Sequence, residues 1–456
     1  MKKEAKTAVN QITEGVIWKQ LLLFFFPIVF GTFFQQIYNT ADTIVVGRFV
    51  GKQALAAVGG STTVIVNLAV GLFVGLSSGA SVIIAQFYGA KDDGSLEKTL
   101  HTAFAFSTIG SIALGVIGYA GSRWMLQIMD TPADVLEDSV LYLHIYFIGM
   151  LFNLLYNMGA GILRAVGDSK RPLYVLIITC TVNIILDLLL VIGFGLGVLG
   201  VAAATVISQA ISAVIVVAML LKTKESYRLI PSRIRFHSRY LKAILRIGIP
   251  AALESTMYNV SNLIIQVYVN KLGTDTVAAW GTLSKIDAFF WMVLNAFGIS
   301  ITTFVGQNYG AGKFTRMKKS VRICMVMALF SSVAISGTII LFGKELFGLF
   351  TSDQNVVQIG VHMIFRMLPA YSIFVVITIL SGALRGAGKV LIPMVLTCGG
   401  VCTLRLLWLF TMVPRYPGID TIMLSYPISW SITATLFVIY YLKRFPKTYP
   451  EAGQNA

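Results

Sequence analysis

Charged residues are scarce in this chain of 456 residues. Only 12% are Asp, Glu, Lys or Arg, whereas 56% are hydrophobic, and the mean hydropathy is +0.78. Soluble domains carry about 25% charged residues, so this composition excludes an ordinary soluble globule. The chain is therefore predicted to lie largely within a lipid bilayer.

Cysteine and histidine are also rare, with four of each. The cysteines all fall within apolar segments, where a thiol behaves as a small hydrophobe, so we expect no disulfide. Asp92 and Asp93 stand without a second acidic pair, and the histidines are dispersed. Because a membrane enzyme such as a prenyl transferase needs paired acids or a His cluster, that activity is only a distant alternative, and we expect no enzyme and no cofactor.

Acidic residues are fewer than basic ones, 20 against 36, which leaves a net charge of +16. The basic residues are scattered over short loops rather than gathered on one domain, so no nucleic-acid partner is expected. The termini and every second loop hold 27 of the 36. By the positive-inside rule these segments face the cytoplasm, which predicts a multi-pass protein of the inner (cytoplasmic) membrane with both termini inside.

Long apolar runs are what the chain has in abundance. Each helical crossing of a bilayer needs about 20 residues, and the sequence offers twelve such runs. They are centred roughly on residues 30, 70, 110, 147, 181, 210, 257, 293, 330, 370, 400 and 432. The predicted fold is therefore an all-α membrane protein with twelve transmembrane helices.

The two halves of the chain repeat each other at an offset of 221 residues. Gly161, Leu163, Arg164, Gly167 and Pro172 recur as Gly382, Leu384, Arg385, Gly388 and Pro393. Each unit has six helices, an even number, so the two lobes enter the membrane in the same direction and are related by a pseudo-twofold axis along the membrane normal. We expect an N-terminal lobe (1–221), a cytoplasmic linker (222–239) and a C-terminal lobe with a short cytoplasmic tail (240–456).

A few ionisable residues fall inside the apolar runs. They are Asp42, Asp187, Glu254, Lys285, Asp287 and Arg405. A charge at mid-membrane costs about 2.5–3.5 kcal/mol on insertion scales, so such residues usually have a function or a partner. In the first lobe, Asp187 shares a helical face with Asn183, and Asp42 shares one with Tyr38. If helices 1 and 5 pack together, these four side chains form one cluster.

Such a cluster has two chemical uses, and the sequence does not separate them. A buried carboxyl group beside a second one can take up a proton on one side of the membrane and release it on the other. Several fixed oxygens can instead form a cage for sodium. Asn157 and Thr205 could supply further oxygens, and Tyr142 or Tyr146 could reach the same chamber.

The second lobe and two prolines carry weaker signals. Arg405 lies deep in helix 11, and we expect it to form a buried pair with an acid; the alternative is that Glu254 or Asp287 takes part in transport. Pro27 and Pro250 occupy equivalent places in helices 1 and 7. Because a helix-interior proline removes a backbone hydrogen bond and bends the helix, these two are candidate hinges.

The chain resembles the multidrug and toxic compound extrusion family over nearly its whole length. The resemblance rests on the two six-helix lobes, the helix 1 run from Pro27 to Asp42, residues 86–90 with their second copy, and residues 161–172 with theirs. It implies a prokaryotic antiporter that exports organic, mostly cationic, amphipathic small molecules in exchange for protons or sodium ions by alternating access. A monomer is expected.

The resemblance also implies roles for particular residues. The branch with its working acids in the first lobe has an Asp in helix 1, an Asn and an Asp four apart in helix 5, and a Thr about eighteen residues later. Asp42, Asn183, Asp187 and Thr205 fill these places, and Tyr38 and Asn157 follow as lesser candidates. Asp42 and Asp187 would be the metal ligands if sodium is the coupling ion. The main alternative is a flippase for lipid-linked sugars, which needs a cationic cleft.

Overall fold

The computed structural model describes residues 12–448, which form helices joined by short connections. Twelve long helices follow one another, numbered α1–α12 here. They are α1 (Ile17–Val50), α2 (Lys52–Ala90), α3 (Asp93–Ile128), α4 (Ala133–Ala165), α5 (Lys170–Gly193), α6 (Gly197–Lys222), α7 (Ser238–Asn270), α8 (Ala288–Gly310), α9 (Phe314–Leu341), α10 (Gln354–Gly386), α11 (Leu391–Met412) and α12 (Ile419–Phe445). The predicted number and order of helices are confirmed. The first eleven residues and the end of the predicted tail lie outside the described residues.

Eleven of these helices are long and apolar enough to cross a membrane. The twelfth, α7, is just as long but begins with a run of basic residues and carries Glu254, which lowers its hydropathy. Two shorter helices, Thr274–Ile286 and Gly343–Gly348, lie between long ones. Asp287 stands at the junction between the first of these and α8.

The helices pack into two compact units. One consists of residues 26–252, and the other of the described residues up to Phe25 together with those from Leu253 onward. Each unit therefore holds five complete helices and parts of α1 and α7. These two helices pass from one unit to the other, and Pro27 and Pro250 each lie within three residues of the passage.

The start of α1 packs within the unit that contains α8–α12. Phe25 stacks on Phe297 with ring centroids 4.1 Å apart. The Arg316 guanidinium donates hydrogen bonds to the carbonyl oxygens of Ile12, Glu14 and Gly15, at 2.7–3.1 Å. This segment is thus held by both apolar packing and charge-assisted hydrogen bonds.

The start of α7 packs within the other unit, against α2. A Cβ at Gly75 would lie 2.5 Å from the Ala252 backbone, and one at Gly79 would lie 2.3 Å from the Ile244 carbonyl oxygen. Glycines spaced by four residues on one helical face allow this backbone contact between membrane helices. A larger residue at either position would force the two helices apart.

The predicted linker is an ordered strap on the same unit. The imidazole Nε2 of His101 in α3 accepts a hydrogen bond from the Ile230 amide at 2.9 Å, and Arg233 pairs with Glu97 at 2.6 Å. The Tyr240 hydroxyl bonds to Ser95 at 3.1 Å. The polar linker therefore follows the first turns of α3 instead of forming a free tether.

Candidate ion-coupling site

Helices α1, α5 and α6 bring four of the predicted residues together within the unit of residues 26–252. Gly31 of α1 lies against Leu173 and Leu176 of α5, so the two helices approach closely. About two to three turns further along, the Asp42 carboxyl lies beside Asp187 and Asn183. The packing of helices 1 and 5 on which the predicted cluster depended is thus present.

Both acids of the cluster are buried. Asp42 is 8% exposed and Asp187 is 0% exposed. The Thr205 hydroxyl lies 3.4 Å from Asp42 Oδ2 and 3.0 Å from the Val201 carbonyl oxygen. Within residues 12–448, neither Asp187 carboxyl oxygen accepts a hydrogen bond, and the Asn183 amide is also without a partner.

No basic side chain of the described residues forms a salt bridge with Asp42 or Asp187. Two neighbouring buried carboxylates would repel each other strongly if both were charged and uncompensated. The cluster is therefore chemically suited to hold a proton or a small cation between its acids. Among the described residues there is no group of three or more His, Cys, Asp or Glu able to hold a metal ion, so a sodium ion would also need amide and hydroxyl oxygens here.

Two π-helical segments lie next to the acids. Val46–Val50 begins four residues after Asp42, and Leu188–Gly193 begins directly after Asp187. The segments pack against each other and against α6. Single π turns in α-helices often occur at functional sites because the wider turn shifts the register of the side chains that follow. The apolar pattern of the sequence carries no sign of them.

Tyrosine side chains border the acids. Tyr38 lies near Tyr142, Tyr146 and Asp42, and the Tyr142 and Tyr146 rings stack with centroids 6.2 Å apart. Asn157 instead donates its side-chain amide to the Asn153 side chain and carbonyl, at 3.0 and 2.9 Å. Of the two lesser candidates, Tyr38 is thus placed at the cluster, whereas the amide of Asn157 is engaged within its own helix.

Glu254 and Asp287, the two predicted acids of the other unit, each have a partner. Arg385 donates to Glu254 at 2.8 Å and to the Ser381 hydroxyl at 3.1 Å. Asp287 Oδ2 accepts from the Tyr371 hydroxyl at 2.5 Å and from Trp291 Nε1 at 3.0 Å. Both acids are 8% exposed. Sequence reasoning missed Arg385 and Tyr371 because they lie on distant helices, whereas Trp291 is only four residues from Asp287.

The expectation that Arg405 pairs with an acid is wrong. Its side chain is 0% exposed, and its guanidinium carbon lies 4.1 Å from the centroid of the Tyr426 ring and 5.9 Å from those of Tyr258 and Trp430. No salt bridge to Arg405 exists in the part of the chain that the structure describes. The reason is long-range packing: Glu254 is already paired with Arg385, and α12 presents aromatic rings to α11.

Comparisons with known proteins agree with this architecture. The MatE family model matches residues 27–189 and 250–410. A probable multidrug resistance protein of Bacillus subtilis, YoeA, is 28% identical over 93% of each chain. The multidrug export protein MepA of Staphylococcus aureus is 23% identical over 82% of each.

Among solved structures, an outward-facing multidrug resistance MATE transporter superposes with a TM-score of 0.91 at 21% identity, covering 98% of this chain and 100% of the other. At that identity the likeness shows the fold, which has twelve membrane helices in two lobes. The family match covers most of the chain and includes the helices that carry the buried acids. This protein belongs to the MatE family of multi-pass membrane multidrug transporters, and it is a transporter rather than an enzyme.

Proposed function

We propose that this protein exports amphipathic organic cations in exchange for protons or sodium ions, with Asp42 and Asp187 carrying the coupling ion. The observation behind the proposal is the pair of adjacent buried carboxyls for which residues 12–448 offer no basic partner. A permanent structural pair would have its counter-charge built in. These acids instead need a charge that arrives and leaves, as an exchanged ion does.

Asn183 and Thr205 complete the proposed ion site. The Thr205 hydroxyl lies within reach of Asp42, and the Asn183 amide has no other partner in the described chain. A neutral amide and hydroxyl can accompany either a proton or a sodium ion without adding a competing charge. We assign Tyr38 to the wall of the same chamber and give Asn157 no direct part.

The acids of the other unit are proposed not to carry the coupling ion. Glu254 is neutralised by Arg385, and Asp287 is held by two donors. A carboxylate with fixed partners loses those interactions when it binds an ion, so exchange there is unfavourable. Their role is to stabilise the helices around them.

Pro27 and Pro250 are proposed as the hinges of alternating access. Each lies where its helix passes from one compact unit to the other. A proline leaves one backbone carbonyl of the preceding turn unbonded, so the helix bends there at lower cost than elsewhere. Movement between inward- and outward-open states can then concentrate at these two points.

We further propose that the transporter works as a monomer in the cytoplasmic membrane of a prokaryote, with both termini inside. The asymmetric loop charges support this orientation. A flippase for lipid-linked sugars is less well supported, because a diphosphate calls for several convergent cations. Two arginines of the second lobe are already engaged and do not form such a cluster: Arg385 is paired with Glu254, and Arg405 is enclosed by aromatic rings.

The test uses the purified protein in liposomes and the cationic dye ethidium. Export is measured under a proton gradient alone and then under a sodium gradient alone. We expect one gradient to drive export by the wild type. Asp42→Asn and Asp187→Asn should each lower the rate about ten-fold or more, since either change removes one of the two carboxyls that hold the coupling ion. Asp134→Asn, which removes an exposed carboxylate of the same unit, serves as the control and should export normally.

Two results would contradict the proposal. Wild-type rates in both Asp42→Asn and Asp187→Asn would remove these acids from the coupling mechanism. If neither gradient drives export, the family fold stands but ion-coupled export of cations is rejected. The flippase would then become the favoured function.

A further inference from the structure

An apolar groove opens on the surface of the unit that contains α8–α12, at the end of α9. It has a volume of about 540 Å³ and is lined by residues around the start of α8, by the last two turns of α9 and by the short helix that follows. Thr338 is the polar member of this lining, and its hydroxyl donates to the Ala334 carbonyl oxygen at 2.8 Å. The side chains that line the groove therefore suit a hydrocarbon chain better than a polar ligand.

The rim of the groove carries large apolar side chains that face outward. Phe289, Leu349 and Phe350 are 51%, 80% and 51% exposed. On a chain that crosses the membrane, such side chains contact lipid tails. Exposed apolar surface by itself favours no particular lipid, so any selectivity has to come from a charged or polar group at the rim.

Lys285 places a charge at this rim. Its Nζ atom lies 5.9 Å from the centroid of the Phe350 ring, within the range of a cation–π contact. The side chain is exposed, and no salt bridge to it exists among the described residues. Asp287 follows two residues later, but it is buried and already accepts two hydrogen bonds. The ammonium of Lys285 is thus available to an anion from outside the protein.

The other elements that line the groove add no net charge beside it. Lys344 and Glu345 are adjacent and exposed on the short helix, so their charges offset each other. The stretch of α9 from residue 323 to residue 341 contains no charged residue. Because a charge within an apolar run is costly unless it has a partner, Lys285 is best stabilised by an anionic group at the membrane surface.

We propose that the groove binds one anionic phospholipid, with an acyl chain against the apolar lining and the phosphate beside Lys285. A lysine has an apolar stem and a compact charged end, so it can lie along the rim and still reach a headgroup. With both termini inside, as proposed above, this end of α9 lies in the outer leaflet. The bound lipid then stabilises the outer ends of α8 and α9, because it binds the folded protein only.

The test measures lipid binding to the purified full-length protein by native mass spectrometry. The protein is titrated with phosphatidylglycerol, which is anionic, or with phosphatidylcholine of the same acyl chains, which is zwitterionic. We expect the first phosphatidylglycerol to bind the wild type more tightly than the first phosphatidylcholine. Lys285→Gln should weaken binding of phosphatidylglycerol about five-fold, the effect of one basic residue beside an anionic lipid, and leave phosphatidylcholine unchanged. Lys285→Arg keeps the charge and should bind as the wild type does.

Lys271→Gln is the matched control for the charge. Lys271 is an exposed lysine of the same unit whose Nζ atom also lies over an aromatic ring, 5.3 Å from the centroid of Tyr268, but it does not line the groove. Its removal should leave the first phosphatidylglycerol bound as tightly as before. Equal weakening by Lys271→Gln and Lys285→Gln would reveal a general attraction of charge and would overturn the inference.

A second pair of variants tests the groove with Lys285 intact. Ala334→Phe fills the groove and should weaken the first phosphatidylglycerol about five-fold or more, because the acyl chain loses its contacts. Val333→Phe makes a similar change one residue away, at a side chain that is 62% exposed and outside the lining, and should have no effect. Unchanged binding in folded Ala334→Phe would place the lipid elsewhere and overturn the inference.

Two other occupants of the groove are distinguished in the same spectra. Displacement of the lipid by excess inorganic phosphate would identify a simple anion site, and a dimer that Ala334→Phe abolishes would identify a second copy of the chain; either result overturns the inference. The measurement uses no ion gradient and no exported dye. Its failure would therefore leave the proposed export function untouched, and a failure of export would leave the lipid site standing.

Discussion

At the level of single residues, the buried charges of this protein are stabilised in different ways. Glu254 has a salt bridge with Arg385, Asp287 accepts two hydrogen bonds, and Arg405 lies among aromatic rings. Asp42 and Asp187, in contrast, lie side by side and would carry like charge. This contrast separates Glu254 and Asp287, whose fixed partners compete with ion exchange, from Asp42 and Asp187.

The Glu254–Arg385 pair is expected to be structural. Glu254→Gln should lower the free energy of unfolding by about 1–3 kcal/mol, since it leaves the guanidinium without its counter-charge. The loss is smaller than for a fully buried pair because the Arg385 side chain is 30% exposed to solvent. Thermal unfolding in detergent measures the change. The double variant Glu254→Gln/Arg385→Gln should recover part of the loss, and purely additive losses would contradict the pairing.

At the level of elements, the π-helical segment Thr397–Thr403 sets the position of Arg405. Gly400 lies inside it, where a Cβ would fall 2.1 Å from the Thr433 hydroxyl of α12. The absence of a side chain lets α11 and α12 approach closely, which brings Tyr426 and Trp430, one turn apart on α12, against Arg405. The close approach at Gly400 is thus one of the contacts that place these rings against Arg405.

A pair of neighbouring glycines tests this dependence. Gly400→Ala should destabilise the protein by about 1–3 kcal/mol, because the added methyl group overpacks the contact with Thr433. Gly399→Ala, in the same segment but with nothing within 4 Å of its Cβ, should be neutral or slightly stabilising. Melting temperatures in detergent measure both, and equal losses in the two variants would show that backbone effects, rather than this contact, dominate.

At the level of the whole molecule, α1 and α7 each belong to both compact units. The start of α1 is held by Phe297 and Arg316, and the start of α7 by Gly75 and Gly79. Each helix is therefore anchored on both sides of its proline. The proposed hinge role of Pro27 and Pro250 is therefore tested on these two helices.

Pro27→Ala and Pro250→Ala are expected to slow export of ethidium about three-fold or more while leaving dye affinity unchanged, because the proposed movement depends on bending at these prolines. The restored backbone hydrogen bond stiffens the helix where it bends. Initial export rates and equilibrium binding are measured on the same preparations. Pro132→Ala, at an exposed proline before α4, is the control; unchanged rates in both hinge variants would show that the bends are static.

The sequence by itself determined the membrane class, the twelve helices and the duplicated six-helix unit. Each of these follows from local hydropathy and spacing, which act through the surrounding lipid and water whatever the distant partners are. It also placed Asp187 with Asn183 and Asp42 with Tyr38, since residues four apart share a helical face.

The tertiary structure decided which side chains meet. The aromatic surroundings of Arg405, the Glu254–Arg385 pair and the contacts of Asp287 join helices far apart in the chain. The π-helical segments and the passage of α1 and α7 between the units likewise depend on how helices rotate and pack. A one-residue change of register turns a side chain by about 100° around a helix of 3.6 residues per turn, so the partner of a buried charge is set by packing that periodicity alone does not encode.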